Sequence, residues 1–130
     1  MNGRRRETGS VPLSSAAFHG RLRIAKFLIG NGAKVSRSNR DGNTPLHVAA
    51  FLCRTDVVKL LLDEGASLRV HNERGERPAD VVAGPWSDGL AGFYKVLSDT
   101  GGLDLDLDEI RKARPGMVRT LQVHAAESRQ

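Results

Sequence analysis

The chain has a single cysteine, Cys53, among 130 residues. One thiol excludes an internal disulfide framework and fits a reducing compartment. Long apolar runs are missing as well. Val57-Val58 and Leu60-Leu61-Leu62 are parted by Lys59, and nothing approaches the roughly 20 apolar residues that a membrane helix requires. Residues 1–9 have the basic part of an export signal without an apolar stretch behind it, so the expected compartment is the cytoplasm. Aromatic residues make up 5% of the chain, and the basic N-terminal region offers few stacking groups besides Phe18 and Phe27. The catalytic vocabulary is thin too. There is no phosphate-cradling glycine motif, no nucleophile elbow and no paired acids facing a definable substrate pocket. The aspartates of Leu103-Asp104-Leu105-Asp106-Leu107-Asp108 do not form a calcium loop. Counting Asp104 as position 1, the required glycine is Glu109 and the required bidentate glutamate is Pro115. The histidines His19, His47, His71 and His124 share no spacing that would gather three or four ligands. The residues therefore imply no enzyme, no metal and no cofactor.

What the chain does have is a period. Pro12, Pro45 and Pro78 are 33 residues apart, as are Gly9, Gly42 and Gly75, and Gly32-Ala33 recurs as Gly65-Ala66. Self-similarity at this length marks a stack of small supersecondary units. In the central unit Asn39-Arg40-Asp41-Gly42-Asn43 is a turn, with Gly42 supplying a positive φ. Thr44 is a good N-cap, and Pro45 suits the first helical position, where its missing N–H costs nothing. Leu46, Ala49 and Ala50 then share one face. A second helix is expected from Thr55 to Asp63, closed by Gly65. Neither helix is long enough to be stable alone, so neighbouring units must supply the core.

Gly42-Asn43-Thr44-Pro45-Leu46-His47-Val48-Ala49-Ala50, followed by Asp56-Val57-Val58-Lys59-Leu60-Leu61-Leu62 and Gly65-Ala66, resembles the ankyrin repeat. In that family the histidine at the place of His47 is structural and bonds neighbouring turns. The first copy departs where Val11 replaces the capping threonine and Ser14 the histidine. The third departs at Arg77 and Asp80, and its register then slips: with Gly101 as the counterpart of Gly65 the gap is 36, so an insertion of three residues is placed in 84–89. The resemblance implies an all-α solenoid of helix-turn-helix units with β-turn tips and a C-terminal helical cap. The expected division is a basic segment 1–8, copies at 9–41, 42–74 and 75–106, and capping helices in 107–130. The second helix of the third copy is expected around Phe93, Tyr94, Val96 and Leu97. The cap is read as two helices parted at Pro115.

The resemblance also implies a non-catalytic module that binds a protein partner through turn tips and the exposed side of each first helix. Carried over by position, the contact residues are Phe18 and His19 in the first copy. In the second they are Ser38, Arg40, Asp41, Asn43, Phe51 and Leu52, and in the third His71, Glu73, Arg74 and Glu76. Gly42, Thr44, Pro45, Leu46, His47 and Gly65 hold the unit together. Phe51 and Leu52 are large apolar side chains at positions that packing within the repeat does not require, which makes them candidate anchors; the alternative is that the turn at Cys53 draws them into the core.

Charge supplies the competing readings. Residues 1–40 carry a net +8, 41–98 a net −2, 99–109 a net −5 and 110–130 a net +4. In a solenoid this makes one end basic and places an acidic belt toward the other. The basic end, with Arg4, Arg5, Arg6, Arg21, Arg23 and Lys26, is the feature that nucleic acid or another polyanion would use. The acidic belt and the lack of a nucleic-acid motif weigh against that reading. A third reading is a stabilising subunit of a larger assembly. The chain alone is expected to be monomeric, with a homo-oligomer possible through an uncapped N-terminal end.

Overall fold

A computed structural model describes residues 12–128. The basic segment 1–8, the Gly9 that opens the period and the Val11 that stands in place of the capping threonine lie outside the described residues. Within them the fold is all-α, with no strand. Helix α1 covers 12–19, α2 Leu22–Gly30, α3 Pro45–Phe51 and α4 Thr55–Asp63. A short 3-10 helix, Asp80–Val82, follows, then α5, Asp88–Gly101, and α6, Leu107–Ser128.

The first two copies bury matching residues and close their helices with matching backbone hydrogen bonds. In α1 Leu13, Ala16 and Ala17 are buried, and in α3 Leu46, Ala49 and Ala50. The paired alanines keep the facing backbones close. Each first helix closes on a left-handed residue, Gly20 (φ 68°) and Cys53 (φ 56°). The bonds there are Arg21 N–H to Ala16 O (2.8 Å) and Arg54 N–H to Ala49 O (2.9 Å), the long-range closure of a Schellman cap. Cys53 adopts this conformation against the usual steric preference of an L residue. The second helices close alike, with Ala33 N–H on Leu28 O (3.0 Å) and Ala66 N–H on Leu61 O (2.9 Å). Between copies, Arg54 Nη2 donates to Phe18 O at 2.9 Å, so a side chain of the second copy satisfies the open end of α1.

One core runs through the stack: Leu13, Ala17 and Ala25 from the first copy, Leu46, Val57, Val58, Leu61 and Leu62 from the second, then Val82 from the third. Beyond the alanines of the repeats, the cluster is completed by the buried Met117 and Leu121, which lie on α6. No residue of α5 belongs to it. The helix that joins this core after the 3-10 turn, and packs on that turn, is thus α6, and the expectation that Phe93–Leu97 would be the second helix of the third copy is corrected. The insertion is far larger than three residues. It runs from Gly84 to Asp106 and carries α5 out of the stack and back. The left-handed glycine that ends α5 is Gly102 (φ 68°), one residue beyond the Gly101 that the register indicated.

The division of the cap at Pro115 is corrected as well. Helix α6 runs through it unbroken. Interior proline costs a helix about 3 kcal/mol; here Ile110, Arg114, Met117 and Leu121 are all buried on one face, a spacing that keeps the helix docked along its length. Asp106 caps its start, accepting from Asp108 N (3.1 Å) and Glu109 N (3.2 Å). Leu103 and Leu105 before it, and Leu107 at its first position, pack inward.

Candidate functional site

The turns that join successive copies are built on asparagine. Asn39 Oδ1 accepts from the N–H groups of Asp41 and Asn43, both at 3.0 Å. One period on, Asn72 Oδ1 accepts from Arg74 (2.9 Å) and Glu76 (3.0 Å). These side chains mimic a turn of backbone and fix each tip. The two tips are then bonded to each other. Glu73 N–H donates to Asp41 O at 3.0 Å, and Asn72 Nδ2 donates to Asn43 Oδ1 at 2.9 Å. Gly42 (φ 79°) sits where they meet, and a Cβ there would lie 2.9 Å from Glu73 N.

Beneath the tips, Thr44 and His47 form a capping box. Thr44 Oγ1 accepts from His47 N at 3.3 Å, and His47 Nδ1 accepts from Thr44 N at 3.1 Å. The acceptor role of Nδ1 puts the ring proton on Nε2, which donates to Glu76 O at 2.8 Å. His47 therefore links the start of α3 to the next tip. Burial lowers its pKa below the ordinary 6.5, against the opposing pull of the Glu76 carbonyl and the Glu76 and Asp80 carboxylates. In the first copy Ser14 occupies this place, and its hydroxyl is buried with no partner among the described residues. In the third copy Asp80 supplies half of the box, accepting from Arg77 N at 2.9 Å and from Arg77 Nε at 3.2 Å. Those two bonds lower the Asp80 pKa.

The proposed contact residues divide into three groups. Ser38, Arg40, Asp41, His71, Glu73 and Arg74 are exposed along the tips. Asn43 and Glu76 are half-buried and spent on the ladder, where Asn72 Nδ2 bonds both side chains. Phe18, His19, Phe51 and Leu52 are covered by α5. The anchor role expected of Phe51 and Leu52 is corrected by that cover. Leu52 is 3% exposed. Phe51 is half-buried, stacked on Tyr94 at 4.4 Å between ring centroids and edge-on to Phe93 at 5.6 Å. At the far end of α5, Gly101 presses on Phe18, leaving no room for a side chain: a Cβ would come within 2.6 Å of that ring. His19 Nε2 lies 3.2 Å from Gly101 O and Nδ1 3.0 Å from Ser15 O.

Two residues that sequence reasoning passed over hold α5 in place. Tyr94 is fully buried, and its hydroxyl donates to Phe51 O at 2.6 Å. Arg114 of α6, 5% exposed, donates from Nη1 to the same hydroxyl at 2.7 Å and from Nη2 to Gly84 O at 3.2 Å. Burial pushes the Tyr94 phenol up to about 12, against the nearby Arg114. Trp86 also stacks on Tyr94, at 5.7 Å between ring centroids, so it locks the inserted segment onto the stack. The one available signal was the spacing of Arg114, four residues after Ile110 and three before Met117, which puts a cation on an apolar face. Cys53 lies beneath this region, and burial raises its thiol pKa, the opposite of what a nucleophile needs. Among the described residues no three His, Cys, Asp or Glu side chains converge, and no helix is long and apolar enough to cross a membrane.

A family model described as ankyrin repeats (3 copies) matches residues 2–72, more than half of the chain. The match ends where the third copy begins to depart from the pattern. Among the curated proteins none matches the chain.

Proposed function

Because the chain belongs to the ankyrin-repeat family, whose members are generally modules for protein–protein interaction, we propose that it recognises a protein partner through its turn tips and performs no chemistry itself. The observation that carries this reading is the ladder joining the tips. The bonds between Glu73 and Asp41 and between Asn72 and Asn43 set two successive tips in fixed register, while Ser38, Arg40, Asp41, His71, Glu73 and Arg74 project from them exposed. A row of polar and charged side chains on pre-ordered backbone loses little conformational freedom on binding. Its alternating signs select a partner by charge pattern. The ends of α1 and α3 take no part, because α5 fills the surface that they would offer.

The test is affinity capture from nuclease-treated native lysate with the intact chain and with a triple variant, Arg40→Glu, Glu73→Arg, Arg74→Glu. Exposed changes of this kind leave stability within about 0.5 kcal/mol each. A partner retained by the intact chain and lost from the variant supports the reading. Retention of every partner by the variant refutes it, and loss of all capture on nuclease treatment would favour a polyanion instead.

A further inference from the structure

The outer face of α2 presents an apolar strip that the next copy has already shown how to fill. A shift of 33 residues maps Ile24 onto Val57 and Phe27 onto Leu60. In the second copy α2 packs against α4, Val57 is fully buried and Leu60 half-buried. In the first copy Ile24 is 45% exposed and Phe27 67%. The strip does not extend onto α1. Pro12 and Ser15, at the places of the buried Pro45 and half-buried Val48, are both exposed, and Ser15 is polar. A complete two-helix unit would bury both helices of the first copy, whereas the apolar surface here is one helix wide.

Charge identifies what suits it. At about 100° per residue, Ile24 and Phe27 are flanked by Arg23 and Lys26 on one side and by Arg21 on the other. All three cations are exposed, and among the described residues none is ion-paired. Helix α2 contains no acid. The chain's own residues 1–11 carry Arg4, Arg5 and Arg6 against one Glu7, with Met1 and Val11 as the only apolar residues, so their charge and composition do not complement the strip. Two copies meeting through this face would oppose like charges, which disfavours a symmetric dimer. We infer that the Ile24–Phe27 face of α2 binds an amphipathic helix of a partner protein, with an apolar stripe on the two side chains and acidic residues along both flanks against Arg21, Arg23 and Lys26. Anchors at i and i+3 on one side of a helix are what such docking reads.

The probe is a labelled amphipathic peptide about 14 residues long, or four turns, with leucines on one face and glutamates elsewhere, compared with a twin in which lysine replaces glutamate. Binding is followed by fluorescence anisotropy with the full chain. The glutamate peptide is expected to bind and the lysine twin not. Affinity should fall at least about tenfold with Ile24→Ser and Phe27→Ser combined. A comparable fall should follow Arg23→Glu with Lys26→Glu, and it should also follow an increase in salt from about 50 mM to 300 mM. Circular dichroism melts confirm that these exposed changes leave the fold intact. The triple variant of the turn tips should bind the peptide unchanged, which separates this face from the one proposed above. Equal binding of both peptides, no binding of either, or indifference to the Ile24 and Phe27 changes would overturn the inference. So would competition by single-stranded DNA, or self-association that vanishes with Phe27→Ser.

Discussion

Replacing Tyr94 by phenylalanine removes one oxygen atom from a closed site and tests whether α5 is bound to the stack by polar contacts as well as by burial. The hydroxyl accepts from the Arg114 guanidinium at 2.7 Å and donates to Phe51 O at 2.6 Å. A hydrogen bond from a charged donor contributes about 1.5–3 kcal/mol and a neutral one about 0.5–1.5 kcal/mol. Arg114 keeps Gly84 O but loses its shortest partner in a buried setting, and the last carbonyl of α3 is left unpaired. Tyr94→Phe should therefore cost about 3 kcal/mol, which for a domain of this size lowers the melting temperature by roughly 10 °C. Urea denaturation with an unchanged m-value is the measurement. In a double-mutant cycle Arg114→Met should cost at least about 1 kcal/mol less in the Tyr94→Phe background than alone. A loss below about 0.5 kcal/mol, or an additive cycle, would show that the hydroxyl gains nothing over water.

Phe51→Ala should lower stability by about 2–3 kcal/mol, because the ring is stacked between α5 and the stack; an unchanged urea midpoint would mean that α5 does not cover it. Gly65→Ala, at φ 87° with open space around the new methyl group, should cost about 1 kcal/mol. Gly42→Ala, at φ 79° and against the Glu73 backbone, should exceed about 2 kcal/mol; equal costs would deny the close approach of the two tips. His47 gives a pH dependence. Since its native pKa lies below 6.5, the unfolded chain takes up the proton first. Stability is complete above pH 6.5, declines as pH falls toward the native value and is level beneath it. Unfolding midpoints across this range should lose that slope in His47→Gln, and persistence of the slope would place its origin elsewhere.

The parts legible in the sequence were those governed by local chemistry. Thr44, Pro45 and His47 announce a capped helix, Gly42 and Gly65 announce turns, and the 33-residue interval places each copy against the next. A helix was legible around Phe93 to Leu97, where α5 lies, but its place outside the stack was not. Its Tyr94 meets Leu52 and Phe51, some 40 residues earlier, through an insertion that follows no period. Once α5 is out of the stack, α6 takes the vacant place in the core beside the 3-10 helix, a step that no local pattern encodes, although Ile110, Arg114, Met117 and Leu121 mark its inward side. Pro115 misled for a related reason. Local propensity ends a helix there, and tertiary packing carries it on. Of the proposed contact residues, those on the tips lie where the period puts them, whereas the cover over the ends of α1 and α3 had to be seen.

Helix α5 also changes how the molecule comes apart. In a linear array whose members touch only adjacent members, the outermost can peel away while the others persist. Here a single brace grips His19 at one extremity, Phe51 in the middle and, through Arg114, Gly84 at the other. Detaching either extremity means releasing the brace from all of them, so the array surrenders graded fraying for an all-or-none transition, and amide exchange should slow to a similar degree from α1 to α6.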